Sequence, residues 1–362
     1  MARIGIAGAG VLGRLLAWWL ARDGHDVTVF DPADGPLPPV QGRVAPALAR
    51  PHAAGFTAAG MLSPLAELDG AEPAVARLGW RSLPLWRAIG QRLREGGAPE
   101  LVRTEGSLLL AHGSDRGSAQ RTLTRLSAVA EAPAPQPLDA AALRELEPAL
   151  APGLLAWLLP GEGQLLPRET LQALADQAHG VRWRWDTRVD AVHPGALQLA
   201  DGSGFTADLA IDTRGLGARP EVPLRGVRGE VVGLHAPGVR LHRPVRLLHP
   251  RHRVYLVPRP GDRVVIGASE IESEDRSPVS LRSALELMSA AHSVLPELAE
   301  ARIDHLETNL RPARADHLPC IEHAPGLLRI NGLFRHGWMV APALVQDALA
   351  AAGWARNGEF PP

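Results

Sequence analysis

The chain has 362 residues, with 38 Lys plus Arg against 39 Asp plus Glu and a formal net charge of −1. That length leaves room for two domains, and the near-neutral balance argues against a nucleic-acid or anionic-membrane partner. Cys320 is the only cysteine and lysine is absent, which excludes a disulfide framework, a multi-cysteine metal site, a Schiff-base lysine and a P-loop, so no metal centre is expected.

Arg3 to Ala7 is short, apolar and β-prone, a buried first strand. Gly8, Gly10 and Gly13 follow as G-x-G-x-x-G, and Val11, Leu12 and the residues to Arg22 carry apolar side chains on a helical period. Asp26 to Phe30 reads as a second strand with Asp31 at its end. In such a βαβ unit the first glycine allows a tight turn, the second admits a pyrophosphate and the third lets helix and strand pack. The helix N-terminus offers N–H groups to the phosphates. Asp31 can accept hydrogen bonds from ribose hydroxyls and disfavours a 2′-phosphate. The unit predicts dinucleotide binding and leaves NAD and FAD both open. Arg14 interrupts the apolar run that a secretion signal would need, and no later stretch is long enough to span a bilayer. A soluble, cytoplasmic protein is expected.

Pro32 to Phe56 reads as a long connection, ending in Thr57-Ala58-Ala59-Gly60-Met61-Leu62-Ser63-Pro64. The small residues permit close backbone approach to something flat, or Ser63 and Pro64 simply open a helix. Pro73–Glu95, Asp115–Glu131 and Asp139–Leu146 have helical patterns, and Leu101–Ala111 around Gly106 reads as a β-hairpin. A helix from Pro167 and strands within Val181–Val192 and Phe205–Asp212 follow. The latter runs into Thr213-Arg214-Gly215-Leu216-Gly217, a Gly-rich turn at a strand's C-terminal end, where α/β sheets bind ligands. Val227–Leu234, Val254–Pro258 and Arg263–Ala268 suggest an antiparallel sheet, and Leu281–Ala301 a helix. Ile303–Pro312 and Leu327–Ile330 are strands, and a helix spans Val340–Trp354. The pattern is α/β: one nucleotide-binding domain in discontinuous pieces, with a mainly antiparallel α+β domain inserted.

Seven segments in shared order resemble the D-amino-acid oxidase family of flavoproteins, and within it the glycine oxidases of thiamine biosynthesis. They are GAGVLG with Asp31, AAGML at 58–62, RGVRGE at 225–230, VYLVPR at 254–259, VIGASEIE at 265–272, NLRPARADHLP at 309–319 and INGLFRHGWMVAP at 330–342. The resemblance spans nearly the whole chain. It implies noncovalent FAD in a Rossmann-like domain of residues 1–88, 150–222 and 306–362, with residues 89–149 and 223–305 forming the substrate domain. The adenosine half would lie on the glycine loop and Asp31, with Val189 near the adenine and Thr213, Gly215 and Leu216 alongside. Ala58, Ala59, Gly60 and Met61 would pass beside the isoalloxazine, and the turn Arg335-His336-Gly337-Trp338-Met339 would meet its pyrimidine edge.

By the same resemblance Arg311 holds the substrate carboxylate, Tyr255, the sole tyrosine, helps it, and Arg335 and Met61 flank substrate and flavin. The implied reaction oxidises glycine or a small amino acid or amine by hydride transfer to flavin N5. Oxygen becomes hydrogen peroxide, and the imine gives glyoxylate and ammonia or passes to thiazole synthase. A homo-oligomer is compatible with this. The alternative is a D-amino-acid or sarcosine dehydrogenase or oxidase with another electron acceptor. Three positions depart from the family pattern: Asn309 replaces a Gly, Arg253 replaces a pocket His of some glycine oxidases, and His336 replaces an Asn. Glu270 lies where a pocket side chain would come.

Overall fold

The computed structural model describes residues 1–38, 52–68, 70, 72–127, 133–248 and 253–354. Part of the long connection after Pro32 (39–51) lies outside them, as does the Arg253 side chain.

The first strand, Arg3–Ala7, is the centre of a six-stranded sheet because four of its five residues are apolar or Gly and buried. On one side it pairs in parallel with Asp26–Phe30, which pairs with Arg182–Arg184. On the other it pairs in parallel with Leu209–Asp212, which leads to Leu327–Asn331 and an antiparallel edge strand, Cys320–Ala324. One face is covered by the helices Val11–Arg22, Pro73–Glu95 and Gly337–Ala351, in a core that includes Trp18, Trp86 and Met339. The other is covered by a meander of Val189–His193, Ala196–Leu199 and Gly204–Thr206, packed on Ala7 and Phe30.

An eight-stranded, mostly antiparallel sheet forms the second layer. It runs Arg302–Ala313, Arg225–His235, Arg263–Gly267, Arg253–Arg259, Val245–Leu248, Ser107–Ala111, Leu155–Leu159 and Gln136–Leu138. The helix Leu281–Val294 packs its Leu287, Ala291 and Val294 against it. A further three-stranded sheet consists of Met61–Leu62, Gly163–Leu165 and Val102–Arg103.

Several sequence expectations need correction. Leu101–Ala111 is not a hairpin: Val102–Arg103 pairs with Gly163–Leu165, whereas Ser107–Ala111 pairs with Val245–Leu248 and Leu155–Leu159. Alternation reports which residues face a core, not which strand lies alongside. The expected strand Phe205–Asp212 is two strands in different sheets, Gly204–Thr206 and Leu209–Asp212. The helix expected over Leu281–Ala301 ends at Val294, and Pro296 opens a separate 3-10 turn. The last helix starts earlier than expected, at Gly337.

Candidate active site

A cleft of about 1370 Å³ runs from the glycine loop, between the two large sheets, to Tyr255 and Arg311. That exceeds the ~300–1,000 Å³ of ordinary ligand pockets, as a dinucleotide plus a substrate requires. Of the residues expected at the site, every one except Gly13 lies on its wall. A Cβ on Gly13 would fall 1.8 Å from the Gly8 carbonyl oxygen, so this glycine serves helix packing behind the loop rather than ligand contact. Gly8 has φ of +99° and would press a Cβ to 2.6 Å from the Thr213 oxygen.

Gly10 caps the first helix without a side-chain acceptor, so the N–H groups of its first turn remain available to an anion. Asp31 sits where a ribose acid belongs, and its Oδ2 accepts the Ala9 N–H at 2.6 Å while Oδ1 accepts the Ala33 N–H at 2.9 Å. The loop is braced from below by Arg14, only 1 % exposed, whose guanidinium donates to the oxygens of Ala9, Leu171 and Pro36 at 2.6–2.8 Å. Burial pulls its pKa down to about 10, so it stays charged at neutral pH. The sequence signal for this role is a cation set inside the apolar run of the first helix.

The middle of the cleft is the Ala58–Met61 segment. Gly60 has φ of +63°, and its carbonyl accepts the Leu165 N–H at 2.8 Å. Arg259, off the cleft wall, donates to the oxygens of Ala59, Gln164 and Pro258. Ser63 precedes the short helix Pro64–Glu67, as the helix-entry reading expected, but its hydroxyl does not cap it. Glu162 does: Oε1 accepts from Leu65 N–H at 2.7 Å and Ala66 N–H at 3.2 Å, and Oε2 from the Ser107 hydroxyl at 2.6 Å. Burial pushes this carboxyl up to about 7 despite those donors. Asn309, in place of the family's Gly, donates from Nδ2 to Thr57 Oγ1 at 3.1 Å and to the His52 oxygen at 3.3 Å, fastening the other end of the segment.

The far end holds a chain of alternating charges. Glu67 accepts from Arg246 at 2.6 Å and from Arg335 Nε at 3.0 Å, and Arg335 NH1 donates to Glu270 Oε2 at 2.8 Å. His336, buried, brings Nδ1 to 3.3 Å from Glu67 Oε2, so its side chain as well as its backbone belongs to the site. Burial alone would raise the Glu67 carboxyl, but the Arg246 and Arg335 guanidiniums hold it well below the carboxylate range. Burial would lower Arg335, yet Glu67 and Glu270 raise it.

Arg311 stands apart from this neutral set. Its NH1 donates to the Ser269 oxygen at 3.0 Å and reaches the Arg228 oxygen at 3.4 Å. Its Nε and NH2 have no protein partner among the described residues. Gly229 leaves room for it, since a Cβ there would lie 2.4 Å from the guanidinium carbon. Gly267 makes the same allowance for the Tyr255 phenol. Burial lowers the Arg311 pKa, with Tyr255 and Glu270 opposing, and burial raises that of Tyr255, with Arg311 opposing. The arrangement presents one uncompensated, partly buried guanidinium, suited to a single carboxylate. The last helix begins at Gly337 beside it with no side-chain cap, so its first N–H groups can meet developing negative charge. Sequence reading missed Glu67, Arg246 and Glu162; only a Ser-Pro helix start before Glu67 hinted at the first.

A family model described as FAD dependent oxidoreductase (DAO) matches residues 3–350. The Rhizobium etli protein named "Putative thiamine biosynthesis oxidoreductase ThiO" is 37% identical over 347 residues, covering 95% of this chain and 94% of that protein. Glycine oxidase of Geobacillus kaustophilus is 27% identical over 360 residues, covering 94% and 89%. Its crystal structure superposes with a TM-score of 0.80 at 26% identity, over 97% of this chain and 95% of that one. Iminodiacetate oxidase from Chelativorans superposes with a TM-score of 0.80 at 26% identity, over 98% and 96%.

Proposed function

The chain belongs to the DAO family of FAD-dependent oxidoreductases, and on that premise we propose that it oxidises glycine or a comparably small amino acid to the imine. The observation that carries this reading is Arg311, a partly buried guanidinium whose Nε and NH2 have no partner among the described residues, at the end of a cleft that begins at the glycine loop.

The cleft's own geometry fits FAD: its volume admits a dinucleotide, and the uncapped N-termini of the first and last helices both line it. The adenosine half would rest on Gly8, Gly10, Asp31 and Val189, and the ring against Ala58–Met61 and Arg335–Met339. When bound, FAD would supply the two-electron acceptor for the Cα hydride, with oxygen as the final acceptor, reduced to hydrogen peroxide. The chain's residues do the rest. Arg311, with Tyr255 beside it, fixes both carboxylate oxygens and so the direction of the Cα–H bond. Glu67 holds Arg335 and Arg246 in place, keeping them from competing for the carboxylate. No side chain is assigned as base, because the amine reacts in its neutral form. The imine then hydrolyses to glyoxylate and ammonia, or is used in thiazole formation, a use suggested by the name of the Rhizobium relative. The division into a cofactor domain (1–88, 150–222, 306–362) and a substrate domain (89–149, 223–305) is part of this proposal. Two strands cross it, since Leu155–Leu159 and Arg302–Ala313 pair within the eight-stranded sheet.

Glycine added without oxygen should bleach the flavin absorbance of the holoprotein, and Arg311→Ala should raise the glycine concentration needed by about 100-fold or more, as for loss of a charged hydrogen-bonding pair. Unchanged saturation in that variant would refute the clamp.

A further inference from the structure

Among the described residues, the charge chain leaves a second group with a free atom on the cleft wall that also bears Arg311. Glu270 gives only Oε2 to Arg335, at 2.8 Å; its Oε1 has no protein partner among the described residues. The residue before it, Ser269, accepts from Arg311 NH1 at 3.0 Å, so the two unused groups hang from adjacent anchor points. The loop that carries Glu270 is held in place: the Ser269 hydroxyl donates to Glu230 Oε2 at 2.9 Å, and Glu230, 0 % exposed, also pairs with Arg228 at 2.6 Å. Both Glu270 and Arg311 line the cleft.

We propose that Glu270 is a specificity-determining residue that receives the substrate's ammonium or amine group on Oε1, while Arg311 receives its carboxylate. This rests on the carboxylate-clamp reading of Arg311 and deepens it. The spare donors of Arg311 and the spare acceptor of Glu270 together match the two charges of a small zwitterion. Arg246, Glu67 and Arg335 are already paired with one another, and Arg335 engages only Oε2 of Glu270. A ligand with a carboxylate and no amine meets Arg311 favourably but carries a net negative charge, which the Glu270 carboxylate repels. Glu270 thus admits amino acids and resists simple carboxylates, a discrimination made by repulsion as well as attraction. Glu67 cannot serve in its stead, because both its oxygens are taken by Arg246 and Arg335.

The test compares glycine with glycolate, which keeps the carboxylate and replaces the amine by a hydroxyl. Binding is read from the perturbed flavin spectrum of the FAD-saturated protein, without oxygen and, for glycine, from the concentration dependence of bleaching. In Glu270→Gln the apparent Kd for glycine should rise about tenfold and that for glycolate should fall severalfold, because the amide keeps size and hydrogen bonding but removes the charge. Equal shifts in the same direction, or none, overturn the assignment, since a loosened loop would weaken both ligands together. Arg311→Ala serves as the separate check: it should weaken both ligands, and if it weakens neither, the clamp itself is wrong. If the unaltered protein binds neither ligand, both readings fall.

Discussion

Glu162 caps the helix that carries Glu67 from a fully buried position, and its replacement by Gln has a worked consequence. Burial raises its pKa from 4.5 to about 7 in the folded protein. The proton is therefore held more tightly by the folded than by the unfolded chain. The stability this provides is fully present below pH ~4.5, falls as pH rises through ~7, and is gone above it. Each tenfold in proton affinity is ~1.36 kcal/mol, so two and a half powers of ten amount to roughly 3 kcal/mol. Gln keeps the geometry: its oxygen can accept from the Leu65 and Ala66 N–H groups, and its amide can donate to the Ser107 hydroxyl. The Glu162→Gln protein should thus lack the pH-dependent loss. Urea unfolding of FAD-saturated protein at pH 5 and pH 8.5 should show the unaltered protein losing about 2.5 kcal/mol more than the variant between the two, since part of the loss already lies below pH 5. Parallel pH dependence in the two proteins would refute the reasoning, because it would mean that Glu162 is already ionised at low cost in its buried pocket.

Gly13→Ala should yield colourless protein, or protein that does not fold, because its Cβ would collide with the Gly8 oxygen at 1.8 Å; the absorbance of purified material near 450 nm decides it. Asn309→Ala removes the donor to Thr57 and His52 and should cost about 1–2 kcal/mol in thermal or urea unfolding while raising the FAD Kd, measured by fluorescence titration. Glu67→Gln acts on the acid side: a carboxyl held well below 4.5 contributes stability above that value and loses it as pH falls further. The variant should be less stable at pH 7 and converge with the unaltered protein only in strong acid, as denaturant titrations across pH would report.

The opening βαβ unit was legible because its signal is local: three glycines, a helical period and an acid fall at fixed spacings within Arg3–Asp31. The cleft's lining was legible through the resemblance, which carries order along the chain; hence Tyr255, Arg311 and Arg335 fall together although 80 residues separate the outer two. What escaped was what each side chain does with its neighbours. Glu67 and Arg246 meet across 179 positions, and Glu162 reaches a helix 97 positions earlier. No periodicity encodes such pairs. Strand partners escaped for the same reason: Ser107–Ala111 has the pattern of a hairpin arm, but Val245–Leu248 lies beside it. Arg14 shows the converse, a charge that breaks an apolar pattern and is for that reason structural.

The six-stranded sheet closes through Ile4 beside Leu209 and Ala210 beside Leu327. The beginning of the chain therefore waits for its middle, and the middle for its end. During synthesis the glycine loop emerges first, yet its neighbour Thr213 follows two hundred residues later, and the Arg335 partner of Glu67 later still. Pairing of such high sequence separation is slow. The nascent chain consequently carries an exposed apolar strand for most of its translation, the condition under which aggregation competes with folding. FAD, binding only the closed form, would then act on the yield of native protein as well as on its chemistry.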